Sequence, residues 1–289
     1  MEIFISTTCF GTGNTSLKAA LSYLKDFDVQ GLELGSTHCW EENLESEVGK
    51  MWGGQIFTHN YFPPAREDLV IDIASDDDDV RNSSISHAQI CIDVASRLGA
   101  NLYTIHPGFA TSASLDTAGW GARQFDFKFS DSSAIKRSQR AMHMYGSLKK
   151  LISYATQRDV RLAVETQGSI TSPNVSLLET IEDFNELFNE IPDGLMINFN
   201  LAHTIFAAHI HRFQLDEFVE QFRDRFAAVE ISHNDGKGDQ HSPLVPGSFA
   251  LDWIARLKDI PIILEFRDAS RYEIETSISL ARIAIRAAA

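Results

Sequence analysis

Short apolar runs rich in β-formers alternate with longer helix-like segments from one end of the chain to the other. Eight runs read as strands: Ile3–Ser6, Gly31–Leu34, Gln55–His59, Leu102–His106, Arg161–Glu165, Leu195–Asn198, Ala227–Ser232 and Pro261–Glu265. Helical patterns fall between them over Thr15–Lys25, Ser83–Leu98, Ser133–Gln157, Leu177–Asn189, Asp216–Arg225 and Ile274–Arg286. Strands alternating with helices imply parallel βα units. Eight such units closing on themselves predict an α/β fold, a (β/α)8 TIM barrel forming one domain over residues 1–289. An open doubly wound sheet is the rival fold. No GxGxxG or GxxxxGK follows any strand, which weakens its nucleotide-binding version.

Length agrees with this, because 289 residues is one barrel of about 250 plus insertions. The insertion with most character is Gly108–Ser132, after the fourth strand, which carries Trp120, Phe125, Phe127 and Phe129. In a barrel it lies over the catalytic face, either as a lid or as an extra packed hairpin or helix. The run Asp76–Asp79 reads as a solvated acidic loop leading into the helix at Ser83.

The chain carries 40 acidic and 25 basic residues, a net charge of −15. Nucleic acid needs a positive face, so this composition opposes a nucleic-acid partner and suits a cleft that collects cations. No run of about 18 apolar residues would cross a membrane. The start, Met1-Glu2-Ile3-Phe4-Ile5-Ser6, reads as a strand rather than a signal peptide. Cys9, Cys39 and Cys91 are sparse and without a CxxC, which fits a reducing cytoplasm. Self-association into a homo-oligomer is left open.

The polar residues that carry chemistry sit where the strands end: His59, His106, Glu165, Asn200 with His203, Glu230 with His233, and Glu265 with Arg267. The C-terminal strand ends of a barrel converge on one face, where active sites are built. A lone strand-end His or Glu is usually a bonded core residue. Several carboxylates aimed at one mouth require a cation or shared protons, because an unpaired buried charge is costly. Imidazole with carboxylate suits zinc or manganese, with magnesium a harder alternative; no organic cofactor is implied.

The segment from His233 to Leu244, HNDGKGDQHSPL, resembles the seventh-strand loop of the xylose isomerase-like superfamily of sugar isomerases, epimerases and apurinic endonucleases. His59-Asn60-Tyr61-Phe62, His106-Pro107-Gly108, Val164-Glu165-Thr166, Leu264-Glu265 and Asn200-Leu201-Ala202-His203 are similar to its other strand-end signatures. The resemblance spans the barrel. It implies that His59, His106, Glu165 and Glu265 share one ion and that His203, Asp239 and His241 share a second. A third site would use Glu165 and Glu265 with the residues at positions 200 and 230. There the chain departs from the family, with Asn200 for an Asp and Glu230 for a His. The double change conserves charge and trades a nitrogen for oxygens, which implies a preference for harder ions. Alternation along the seventh strand puts Glu230 and Ser232 inward, and His233 is a nearby substitute ligand.

The function this implies is a metal-dependent isomerase or epimerase of a sugar-like substrate. Glu165 and Glu265 would exchange a proton, His203 would stabilise a substrate oxygen, and Arg267 would neutralise an acidic group. His38 and Trp120 are the further substrate-binding candidates, with Trp40, Tyr61 and Phe62 as an apolar wall. The motif His59–Pro64 also resembles barrels encoded with bacterial surface-carbohydrate genes. Two alternatives stand beside this reading: a metal-dependent phosphodiesterase of the endonuclease IV kind, and a non-catalytic sugar-binding barrel. His87, His143, His209 and His211 read as packing or surface residues, the last two beyond the helical stretch that follows His203.

Overall fold

The computed structural model describes residues 2–11, 15–67, 69–115, 127–129, 134–168, 175–235 and 238–287. The strands are β1 (Ile3–Ser6), β2 (Gly31–Leu34), β3 (Gln55–His59), β4 (Leu102–Ile105), β5 (Ala113–Leu115), β6 (Phe127–Phe129), β7 (Arg161–Glu165), β8 (Leu195–Asn200), β9 (Phe226–Ile231) and β10 (Ile262–Leu264). All except β5 and β6 form one closed parallel barrel, in which β1 pairs with both β2 and β10. The helices are α1 (Leu17–Leu24), α2 (Leu44–Met51), α3 (Asp78–Arg97), α4 (Ala134–Thr156), α5 (Ile181–Glu190), α6 (Leu201–His211), α7 (Leu215–Phe222), α8 (Ala250–Arg256) and α9 (Arg271–Ala287). No helix among the described residues is long and apolar enough to cross a membrane.

The core has two compartments. Alternate strand residues such as Val229, Ile231 and Leu264 pack outward into the helix layer, and Phe4, Phe57, Leu102, Ala163, Ala228 and Ile263 fill the barrel interior. Phe4 and Phe57 stack with centroids 4.1 Å apart. A Cβ on Gly31 would stand 2.1 Å from the Phe4 ring, so the floor has room only for glycine there. Strand side chains repeat every two residues, so the next inward position above each floor residue is fixed. Those positions are Ser6 above Phe4, Glu33 above Gly31, His59 above Phe57, Glu165 above Ala163, Glu230 above Ala228 and Glu265 above Ile263. The apolar floor thus supports a polar layer at the C-terminal mouth.

One sequence expectation changes. The acidic run is not a loop: Asp77 caps α3, accepting from the Asp79 and Val80 amides, and Asp78 and Asp79 lie in the first turn, where carboxylates meet the positive end of the helix. In the insertion after β4, the described strands β5 and β6 pair antiparallel, in keeping with the hairpin alternative, and Phe109 packs against Phe127 and Phe129 at 5.0 and 5.3 Å. Trp120 lies outside the described residues.

Candidate metal centre at the barrel mouth

A register irregularity between Ile197 and Asn198 brings Asn200 opposite Glu230 on the neighbouring strand. His59, Glu165, Asn200 and Glu230 are buried, and Glu265 is 9% exposed. Among the described residues, three groups of ligand-type atoms result. In the first, His59 Nε2 lies 3.1 Å from His106 Nε2 and 3.1 Å from Glu165 Oε2, and His106 Nε2 lies 2.7 Å from Glu165 Oε2. In the second, Asp239 Oδ2 lies 3.3 Å from His203 Nε2 and 2.9 Å from His241 Nε2. In the third, deeper group, His59 Nδ1 lies 3.5 Å from Glu33 Oε2 and 3.3 Å from Glu230 Oε1.

The first two groups fit a divalent cation by donor chemistry, each offering two imidazoles and a carboxylate on one point. Buried Asp239 Oδ1 also lacks a hydrogen-bond partner, as an oxygen facing a cation does. Glu165 joins the two groups, because its Oε1 lies 3.0 Å from His203 Nδ1. Glu265 is not among the residues of the first group. It extends from β10, beside β9 and β1 and across the barrel from β4, and its Oε2 sits 3.1 Å from His241 Nδ1.

Charge is interleaved throughout. Burial alone would raise the Glu165 carboxyl, but His106, His203 and His59 outweigh it and hold Glu165 well below the usual carboxylate range. Asp239 is held down likewise, against its burial, by His241 and His203. Burial disfavours the His241 cation, but Glu265 and Asp239 carry it to about 9. Burial, then the nearby Glu165 and Glu265 carboxylates, push Glu230 well above its ordinary value.

Several expected site residues take other roles. Asn200 Oδ1 accepts from the His203 amide at 3.2 Å as the N-cap of α6, so its Nδ2 faces the carboxylates as a donor and not as a ligand. His38 is buried between loops, with Nε2 2.7 Å from Thr7 Oγ1 and Nδ1 3.3 Å from both the oxygen and the hydroxyl of Thr15. It ties the loops after β1 and β2 together, so neither nitrogen is left for substrate. His233 turns away from the mouth, its Nδ1 3.0 Å from Ser248 Oγ, as the period of two dictates. Tyr61 accepts from the Ile71 amide at 2.7 Å and Phe62 is fully buried, so both are packing residues. Trp40 is 38% exposed and stacks under Arg66. Arg267, 58% exposed at its side chain, stands 3.5 Å from Asp239 at the rim.

The sequence reading leaves out Glu33, Asn198 and Gly168. Glu33 and Asn198 hold inward positions two residues from Gly31 and Asn200, so the alternation that marks Glu230 marks them too. Gly168 matters by contact: a Cβ there would stand 2.1 Å from the His203 carbonyl oxygen. The loop after β7 therefore packs directly on α6 beneath a candidate ligand.

Among solved structures, the chain is similar to a D-tagatose 3-epimerase-like protein, at 16% identity and a TM-score of 0.74, covering 100% of this chain and 98% of that one. It is also similar to the TTHB071 protein of Thermus thermophilus, soaked with ZnCl2, at 16% identity, a TM-score of 0.65 and coverage of 98% and 99%. A third is the 3-keto-D-glucoside 4-epimerase of E. coli, at 13% identity, a TM-score of 0.63 and coverage of 98% and 99%. At these identities the likeness concerns the fold. No curated protein matches the sequence. The sequence profile described as xylose isomerase-like TIM barrel matches residues 25–284, nearly the whole barrel, and the chain belongs to that family.

Proposed function

We propose that the protein is a divalent-metal-dependent isomerase or epimerase acting on a sugar or sugar derivative. The observation that carries this reading is the mouth itself. Glu165 and Glu265, from different strands of the barrel, both approach one Asn200 nitrogen, at 3.0 and 3.5 Å, between two histidine–carboxylate groups. Bound to those groups, a cation supplies Lewis-acid polarisation of substrate oxygens. Their imidazole content favours zinc or manganese over magnesium.

Glu265 is the better placed base, because its side chain is 12% exposed against 1% for Glu165. It takes the proton from the substrate carbon. Glu165, kept ionised by its histidine neighbours, acts as a relay: the proton that it passes to the other side of the carbon comes from His203 Nδ1, 3.0 Å from its Oε1. His203 orients a substrate oxygen, and Arg267 at the rim meets an acidic substituent. A role in surface-carbohydrate biosynthesis rests on the likeness of His59–Pro64 to such barrels.

Two separate histidine-rich groups favour one second reading, phosphodiester hydrolysis. The net charge of −15 opposes it for a nucleic-acid substrate. A panel of ketoses and keto-sugars beside a chromogenic phosphodiester, with and without chelator, separates these readings. Interconversion of a sugar that stops with chelator and returns with zinc or manganese is expected. Hydrolysis of the diester without any sugar turnover would replace the proposal with the second reading. Chelator-insensitive sugar binding without turnover would reduce the protein to a binding barrel.

A further inference from the structure

The centre of the mouth is filled by an amide. Asn200 Nδ2 lies 2.9 Å from Glu230 Oε2, 3.0 Å from Glu165 Oε1 and 3.5 Å from Glu265 Oε2. The other oxygen of Glu230 accepts from Asn198 Nδ2 at 2.5 Å, so two amides of β8 clamp one carboxylate of β9. The side chains of Asn200, Glu165, Glu230 and Glu265 belong to residues at most 9% exposed.

Which end of the Asn200 amide points inward is fixed from both sides. Its oxygen accepts the His203 amide and caps α6, satisfying a helix N–H that has no partner within the helix. A flipped amide would lose that bond and set an oxygen among three carboxylates. The distances agree with an N–H donor: they lie at and just beyond the hydrogen-bond range, whereas carboxylate oxygens approach zinc at about 2.0–2.2 Å. An NH2 group has two hydrogens, which matches the two short contacts to Glu165 and Glu230 and leaves Glu265 at a longer one.

We propose that the Asn200 amide occupies the place of the third ion that the family resemblance implies, so that the space among Glu165, Glu230 and Glu265 is not a metal site in this chain. The substitutions at positions 200 and 230 act together. Asn200 supplies donors in place of a ligand, and Glu230 supplies the acceptor that anchors them. Cation binding is then left to the groups on either side, and Glu265 is left outside any ligand set. The inference concerns the metal complement and stands or falls apart from the isomerase reading.

The test reads metal directly. Chelator-stripped protein is reloaded with zinc or manganese, ions per chain are counted by elemental analysis, and positions are fixed by anomalous scattering. Wild type is expected to show no anomalous peak within ligand distance of both Glu230 and Glu265. The double variant Asn200→Asp/Glu230→His is expected to carry one more ion per chain than wild type, located there. Should the double variant fail to fold, Asn200→Asp alone, which removes the donor and adds a carboxylate, is expected to gain the same ion. A wild-type peak bridging Glu230 and Glu265, or a folded variant with wild-type ion content, would overturn the inference.

Discussion

Gly168 offers a test of how the fold positions the site. Gly168→Ala would place a Cβ 2.1 Å from the His203 carbonyl oxygen and 3.0 Å from the Ala207 nitrogen, both backbone atoms that cannot rotate away. Ordinary contact begins at 3.4 Å, so loop and helix must part by about 1.3 Å (3.4 less 2.1). Neither side yields freely. Asn200 caps α6, the Thr204 hydroxyl donates to Thr166 Oγ1 at 2.9 Å, the Thr166 amide bonds Asn198 at 3.1 Å, and the Gln167 amide bonds Leu178 at 3.2 Å. Overpacking of this kind costs about 1–3 kcal/mol. A metal site tolerates only about 0.2 Å of ligand displacement, so a shift of α6 by even a fraction of the required separation would break the group of His203, Asp239 and His241. The expected outcome is a urea midpoint lowered by that amount and, on the proposed metal reading, loss of an ion from this group with retention of one at His59, His106 and Glu165. Gly49→Ala in α2, where an added Cβ meets nothing within 4 Å, is the control and is expected to be neutral or stabilising. An unchanged midpoint with full ion content in Gly168→Ala would show that the loop gives way and α6 does not, and the reasoning would fail.

Acid should destabilise the protein through its neutral buried histidines. Burial lowers His38 from 6.5 to about 4, and His87 likewise. The unfolded chain therefore binds protons that the fold refuses, and stability present above pH 6.5 is lost as pH falls toward 4, by about 3 kcal/mol for His38 at 1.36 kcal/mol per unit. Urea midpoints measured across that window should fall, and His38→Gln should remove about half of the slope; an unchanged slope would remove His38 from the explanation. At the barrel floor, Gly31→Ala forces a Cβ into the Phe4 ring, which is already stacked on Phe57. A loss of about 1–3 kcal/mol in thermal or urea unfolding is expected, with partial rescue by Phe4→Leu; a silent Gly31→Ala would contradict the packing described.

Much of this was legible in the sequence because barrel strands announce themselves. Their apolar runs are short and evenly separated, and strand starts and ends agree with the structure to within about two residues at β4, β8, β9 and β10. The helices were less legible. The short α2 and α8 give few turns of periodicity, and α6 is apolar on nearly every side (Leu201, Ala202, Ile205, Phe206, Ala207), so it lacks the polar face that marks an amphipathic helix. For that reason His209 and His211, expected beyond the helix, lie in its last turn. Strand alternation correctly turned Glu230 inward. It could not show that Asn200 faces the carboxylates with its nitrogen, because that follows from the α6 cap, a tertiary arrangement of one amide. Nor could it separate Glu265 from His59 and His106, since strand ends name the mouth but not the side of the mouth on which each residue sits.

Proton transfer at a substrate carbon is what separates the proposed chemistry from hydrolysis or simple binding. The direct measurement is ¹H NMR of metal-loaded protein with a panel of ketoses and keto-sugars in D2O. The account predicts loss of one C–H signal from a substrate as deuterium enters, dependent on metal and slowed by about 10²–10⁴ in Glu265→Gln. Deuterium-free sugars throughout the panel, or exchange unaffected by Glu265→Gln, would contradict it.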